Sequence, residues 1–378
     1  AMLFKRSGQG VVLTEEGDDS VAVTNINYEL HNRPNIYLIF LESYNDLEIQ
    51  QNVYKIDTSG FEQYLNSNGF KIYKDTFANS WTTLLSYADT FGFKHHTDQD
   101  RGNNDTRMFV RDLIGGGKGN ALFQILKQNK YRTILLTKGS AYLFHVQGDY
   151  LDETDLVYDA SVLLNPLLQL NFSLKKFEDK LQLKLAVPYG GERYYSGDNF
   201  NRIRTAIEHN KDKAPFFLCI KDGAKHTERP GFYSPAATKR WVTSQYPPLI
   251  AKANKAIERI TSYIIAHDPG SVIILVGDHG SRRFPDICTG IKDDIVKFNS
   301  ALDKQNIKLQ EFAKDYFGVL LAVRMPFGEP KDISQGLVLS HVNLFRHVFA
   351  ALSNDLKILQ TRVPSVSIIN GMTVVREG

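Results

Sequence analysis

The chain has 378 residues, of which 42% are hydrophobic and 23% charged, enough to bury a large core in one or two α/β units. A formal net charge of +3, with acids and bases interspersed, excludes a nucleic-acid surface built on strong basic excess. Two cysteines, Cys219 and Cys288, exclude a disulfide framework, and no run of about 18 apolar residues is present to span a bilayer.

Residues 1–33 are polar and glycine-bearing, with one β-like patch at 21–26, and read as an arm or stem. No secretory leader is expected from their pattern, and Ala1 before Met2 resembles a cloning scar. The first core strand is predicted at 35–41 (NIYLIFL), an unalternated apolar run suited to a strand buried on both faces of a parallel sheet. It stops on Glu42-Ser43. A short helix is expected near 61–67, and the alternation of 70–77 (FKIYKDTF) predicts a half-buried strand. Residues 79–87 (NSWTTLLSY) run from a loop into a helix with Ser80 as its N-cap, so the first-turn N–H groups face any anion placed there. Thr82, Thr83 and Ser86 are either caps or part of a reaction site.

Helical periodicity at 119–129 leads to a strand at 131–137 with Lys138 at its carboxyl end. Residues 159–210 read as helices and loops. The next buried strand, 215–220 (PFFLCI), holds Cys219 as a structural thiol and is followed by Lys221, Asp222 and His226. A helix over 248–266 precedes the most informative stretch, SVIILVGDHGSRR at 271–283. Here five apolar residues end on Gly277-Asp278-His279-Gly280, at the strand end where open α/β sheets place ligands. A neighbouring carboxylate and imidazole make half a coordination shell for Zn²⁺ or Mn²⁺, or an ordinary turn pair. Arg282 or Arg283 could grip a phosphate bidentately or face solvent. An amphipathic stretch at 292–316, a last strand at 317–326 and a closing helix at 342–354 complete the core.

The strand ends Leu41-Glu42-Ser43 and Asp278-His279-Gly280, with threonines between them, resemble the alkaline phosphatase/sulfatase superfamily. Within it they are similar to the lipoteichoic acid synthase and phosphoethanolamine transferase branch. The resemblance covers about 35–359. It implies a mostly parallel central sheet flanked by helices on both faces, an N-terminal arm (1–33), a catalytic domain (34–360) and a C-terminal tail (361–378). It implies one divalent metal, Mn²⁺ or Zn²⁺, held by Glu42, Thr83, Asp278 and His279, with Thr83 also the nucleophile and Thr82 the fallback. Ser86, three residues on, fits the family's spacing. His226 would contact substrate or assist the leaving group, and Lys138 and Arg282 would meet phosphate.

Relatives with two metals use Asp-x-x-x-His at the strand end occupied here by Asp222 and His226, with a further His for which His341 is the candidate. The same His341 resembles the start of the family's closing helix, so one metal and two are both expectations. Where lipoteichoic acid synthases carry a His and an Arg, this chain has Lys138 and Gln147, with His145 nearby, a departure that bears on phosphoglycerol as substrate. The Cys/Ser-x-Pro-Ser-Arg context of sulfate-ester cleavage is missing from TLLSY.

The resemblance therefore implies a phosphotransferase moving phosphoglycerol or phosphoethanolamine from a lipid donor to a cell-envelope glycan through a phospho-threonine. The alternatives are a phosphodiesterase or phosphatase using water, and a binding or scaffold protein that keeps the fold without turnover. The expected location is the outer face of a membrane, as an excised domain; a chain beginning at Met2 in the cytoplasm is the other reading.

Overall fold

The computed structural model describes residues 11–15, 28–96, 110, 113–117, 119–136, 150–154, 198–213, 215–223, 241–284, 287, 294–328, 340–369 and 372–376. Strands β1 (Val11–Glu15), β2 (Ile36–Glu42) and β3 (Phe70–Tyr73) precede helix-bounded β4 (Arg132–Leu136), β5 (Glu153–Thr154) and β6 (Phe216–Gly223). The later strands are β7 (Val272–Gly277), β8 (Leu321–Arg324), β9 (Ser367–Ile369) and β10 (Met372–Arg376). Among the described residues seven strands form one sheet in the order β3-β8-β7-β2-β6-β4-β5. Strands β7, β2, β6, β4 and β5 pair in parallel, while β8 runs antiparallel to both β7 and β3. The central apolar runs are read correctly by their lack of alternation. The strand expected over 317–326 is shorter than that, because residues 319 and 320 serve loop contacts: Val319 N–H donates to Thr76 O, and Leu320 N–H to Tyr44 O.

The helices are α1 (Leu47–Asn52), α2 (Ser59–Ser67), α3 (Thr83–Gly92), α4 (Ala121–Gln128), α5 (Asn199–Asn210) and α6 (Tyr246–His267). Beyond them lie α7 (Ile295–Lys304), α8 (Leu309–Phe317) and α9 (His341–Ser353). Side chains alternate across the sheet. On β2, Ile36, Leu38 and Phe40 face α3, α4 and α9, whereas Tyr37, Ile39 and Leu41 face α2, α5 and α6. Helices thus cover both faces, the architecture expected of a mostly parallel sheet. A third apolar cluster joins α7 and α8 to Phe77 and Ile369. Cys219 is fully buried on the α3 side and burial drives its thiol pKa well up, so it behaves as a core residue.

The segments read as arm and tail meet: β1 pairs antiparallel with β10, which pairs with β9. No described helix is long and apolar enough to cross a membrane.

Helix α1 has no strong sequence signal beyond its cap. Asp46 accepts a 2.8 Å hydrogen bond from Ile49 N–H. Burial, opposed in part by that bond, pushes the Asp46 carboxyl up to about 6, against about 3.9 in an unfolded chain. The folded state therefore holds the proton more tightly, and this group lowers stability as pH rises from about 4 through 6. Asp46→Asn keeps the cap and removes the buried charge. Its melting temperature should match the wild type near pH 4 and exceed it at pH 8 by the equivalent of about 1–2 kcal/mol.

Candidate active site

Three strand ends meet at the carboxyl edge of the sheet. The parallel register sets Leu41 beside Gly277, so the next residues, Glu42 and Asp278, are neighbours. On the other side of β2, Phe40 pairs with Lys221, Leu41 with Asp222 and Glu42 with Gly223. Alternation carries Phe40 to Glu42, Val276 to Asp278 and Cys219 to Lys221 on the face that packs α3. Helix α3 is fixed there by Tyr87, stacked on Phe40 with ring centroids 4.0 Å apart, a contact worth about 0.5–1.5 kcal/mol beyond burial. Thr83 lies one turn before Tyr87 on the same helix face, and so overhangs the acidic strand ends.

The helix begins at Thr83, with Thr82 as an extended N-cap that makes no side-chain capping bond. Ser80 is therefore not the cap that the sequence suggests. Its hydroxyl donates instead to buried Asp89 Oδ2 at 2.7 Å. Ser86 is buried and donates to Ser80 O at 3.2 Å. Of the two threonines, it is Thr83 whose hydroxyl donates to Asp278 Oδ2, at 2.7 Å, and lies 3.4 Å from His279 Nε2. Thr82 is buried and its hydroxyl has no hydrogen-bond partner.

Asp278 is buried, and its Oδ1 accepts from the backbone N–H groups of Ser43 and His279, both at 2.8 Å. That leaves Oδ2 for Thr83. Burial works against the Asp278 charge, but His279, Lys221 and the bonds from Thr83 and Ser43 outweigh it and hold the carboxyl below its usual value. His279 Nδ1 donates to Gly280 O at 2.8 Å, which turns Nε2 toward Thr83 and Asp278. This nitrogen is 3.6 Å from Asp278 Oδ2. Thr83 Oγ1, Asp278 Oδ2 and His279 Nε2 thus lie together above the strand ends, with the backbone bonds of Asp278 and His279 fixing their orientation.

Glu42 departs from the four-ligand expectation. Its Oε2 pairs with Lys221 Nζ at 3.2 Å, and no group of three His, Cys, Asp or Glu among the described residues forms a metal cluster. Burial raises the Glu42 carboxyl pKa, Lys221 and Arg282 lower it, and Asp278 raises it. Arg282 Nη1 donates to Trp81 O at 3.2 Å, and its guanidinium lies 5.7 Å from the Trp81 ring centre, at the edge of the site. Arg283 is committed elsewhere, to Glu311 and Asp315.

His341, the candidate for a second metal, is buried at the start of α9. Its Nε2 donates to Gly277 O at 2.8 Å and its ring lies edge-on to Phe40. That nitrogen braces the strand just before Asp278. Asp222 sits on β6 beside Leu41, while His226, Lys138, His145 and Gln147 lie outside the described residues. Sequence reading passed over Lys221. The available signal was a basic residue directly following an apolar strand whose neighbour ends in an acid.

The loop after His279 rests on a buried network. Asp315 accepts from Tyr54 Oη at 2.7 Å, Ser281 Oγ at 2.8 Å and Arg283 N–H at 2.7 Å, and Tyr54 also bonds Ser281. Asp315→Ala orphans these buried groups, and urea unfolding should show a loss of about 3 kcal/mol, partly recovered in Asp315→Asn.

Comparison with known proteins agrees with this architecture. A family model described as Sulfatase matches residues 34–354, whereas no curated protein matches the sequence. Among solved structures, a protein in the alkaline phosphatase superfamily from Vibrio parahaemolyticus is 10% identical with a TM-score of 0.53, covering 86% of this chain and 68% of that one. The lipoteichoic acid synthase LtaP from Listeria monocytogenes is 13% identical with a TM-score of 0.50, covering 89% and 76%. The C-terminal periplasmic domain of EcEptC from Escherichia coli is 11% identical with a TM-score of 0.49, covering 85% and 82%. At these identities the likeness concerns the fold, that of the alkaline phosphatase superfamily. The family match runs through every described residue that meets at the strand ends, from Glu42 to His279, and the chain belongs to the sulfatase family.

Proposed function

We propose that this chain is a metal-dependent phosphotransferase that moves a phospho-alcohol head group, phosphoglycerol or phosphoethanolamine, from a lipid donor to a cell-envelope glycan at the outer face of a membrane. The observation that carries this reading is the Thr83 hydroxyl, set at the first turn of a helix, hydrogen-bonded to Asp278 Oδ2 and 3.4 Å from His279 Nε2. The fold shared with LtaP, a lipoteichoic acid synthase, supports the reaction class.

Thr83 Oγ is the nucleophile. It attacks phosphorus in line, its P–O bond forms as the bond to the lipid alcohol breaks, and its proton passes by way of Asp278 Oδ2 while the departing lipid oxygen takes up a proton to leave as the alcohol. The amide N–H groups at the start of α3 face the phosphoryl oxygens and favour their charge. Arg282 borders the same space. The phospho-threonine is then resolved by an acceptor hydroxyl, and Oγ recovers a proton.

Asp278, His279 and Thr83, with Glu42 completing the set, would hold Mn²⁺ or Zn²⁺. When bound, that ion lowers the threonine pKa and screens phosphate charge. His226 is assigned to the leaving group and Lys138 to phosphate. A second metal has no support from the position of His341.

Incubation with lipid donors labelled in the head group, followed by peptide mass spectrometry, tests the reading. A head-group phosphate on Thr83, discharged by a glycan, is expected. Discharge to water alone would make the chain a hydrolase, and the absence of any adduct with every donor would overturn the covalent mechanism.

A further inference from the structure

Among the described residues Lys221 forms an ion pair with an acidic strand end, and nothing in the reaction above requires it. Its ammonium lies 3.2 Å from Glu42 Oε2, with only 10% of the lysine and 18% of the glutamate side chain exposed, so water screens the pair weakly. Its backbone is fixed on β6 beside Phe40, and its carbonyl accepts from Asn199 Nδ2 at the start of α5, 2.9 Å away. The same charge favours the ionised form of Asp278, as His279 also does. Without it, Glu42 and Asp278 would be neighbouring, largely buried carboxylates that repel each other. A divalent ion seated among Glu42, Asp278 and His279 would face this ammonium across the shared carboxylate, and two cations at one carboxylate repel.

Resting on the metal-binding reading above, we propose that Lys221 is a resident cation that holds the acidic site together without metal and competes with metal for Glu42. Glu42 can then join Asp278, His279 and Thr83 only as the ammonium withdraws. The lysine thereby weakens metal affinity and makes occupancy reversible.

Isothermal titration of Mn²⁺ into the metal-free full chain compares the wild type with Lys221→Met and Lys221→Gln, and with Asp278→Asn as the site control. Lys221→Gln retains a hydrogen bond to Glu42 and serves if the methionine variant fails to fold. The expected result is one equivalent bound about tenfold or more tightly in the lysine variants and lost in Asp278→Asn. Asp278-dependent binding that is unchanged or weaker in the lysine variants overturns the role of Lys221 and leaves the metal reading standing. Binding seen only in the lysine variants supports the resident cation and overturns metal dependence of the wild type. Absence of Asp278-dependent binding in every protein overturns both.

Discussion

Thr83→Ala should abolish head-group transfer, lowering turnover by about 10³-fold or more, while leaving the fold intact. The removed hydroxyl donates to Asp278 Oδ2 and lies 3.4 Å from His279 Nε2, and the side chain is half-buried at a helix end rather than packed in the core. Thermal melting should move by less than about 1 kcal/mol equivalent, which separates a lost nucleophile from a lost structure. Thr83→Ser keeps an oxygen in place and should retain measurable transfer and a serine adduct. If Thr83→Ala still formed the phosphorylated intermediate, the nucleophile would lie elsewhere, with Thr82 next in line.

The second large effect concerns a residue with no chemistry of its own. In Gly280→Ala the new Cβ would lie 1.9 Å from the Asp315 carbonyl oxygen and 2.7 Å from Asn45 Nδ2. The first obstacle is backbone, held because Gly280 N–H donates to Tyr316 O and Asn45 bridges Asp315 O and Gly318 O. The backbone oxygen cannot turn away and the Asn45 amide could do so only by losing both its hydrogen bonds, so a loss of about 3 kcal/mol or more is expected in urea unfolding. Transfer should fall as well, because His279 is oriented by the Gly280 carbonyl. Gly277 is under similar constraint, with a would-be Cβ 2.4 Å from Tyr44 O. The glycines around Asp278-His279 are demanded by close approach, which explains why so tight a motif punctuates that strand end.

Much of this could be read in the chain. The unalternated runs at 35–41, 215–220 and 271–276 announced β2, β6 and β7, and the acids that stop two of them marked the site. Helices α4, α6 and α9 followed their periodicity closely. Harder cases had physical reasons. Helix α1 is too short to show a period, and β8 loses residues to loop contacts. Ser80 looked like a cap, yet it satisfies a buried aspartate nine residues on.

By itself the sequence determined the strands, the acidic and imidazole groups at their ends, and a pair of threonines opening a helix, because burial pattern and strand termination are local properties of the chain. Which threonine meets Asp278 was decided only by the stacking of Tyr87 on Phe40, which sets the rotation of α3 over the sheet. The pairing of Glu42 with Lys221 likewise needed β6 to lie against β2, strands about 180 residues apart in the chain and joined by a register that no local pattern encodes. Local composition names the charges; long-range register decides which of them touch.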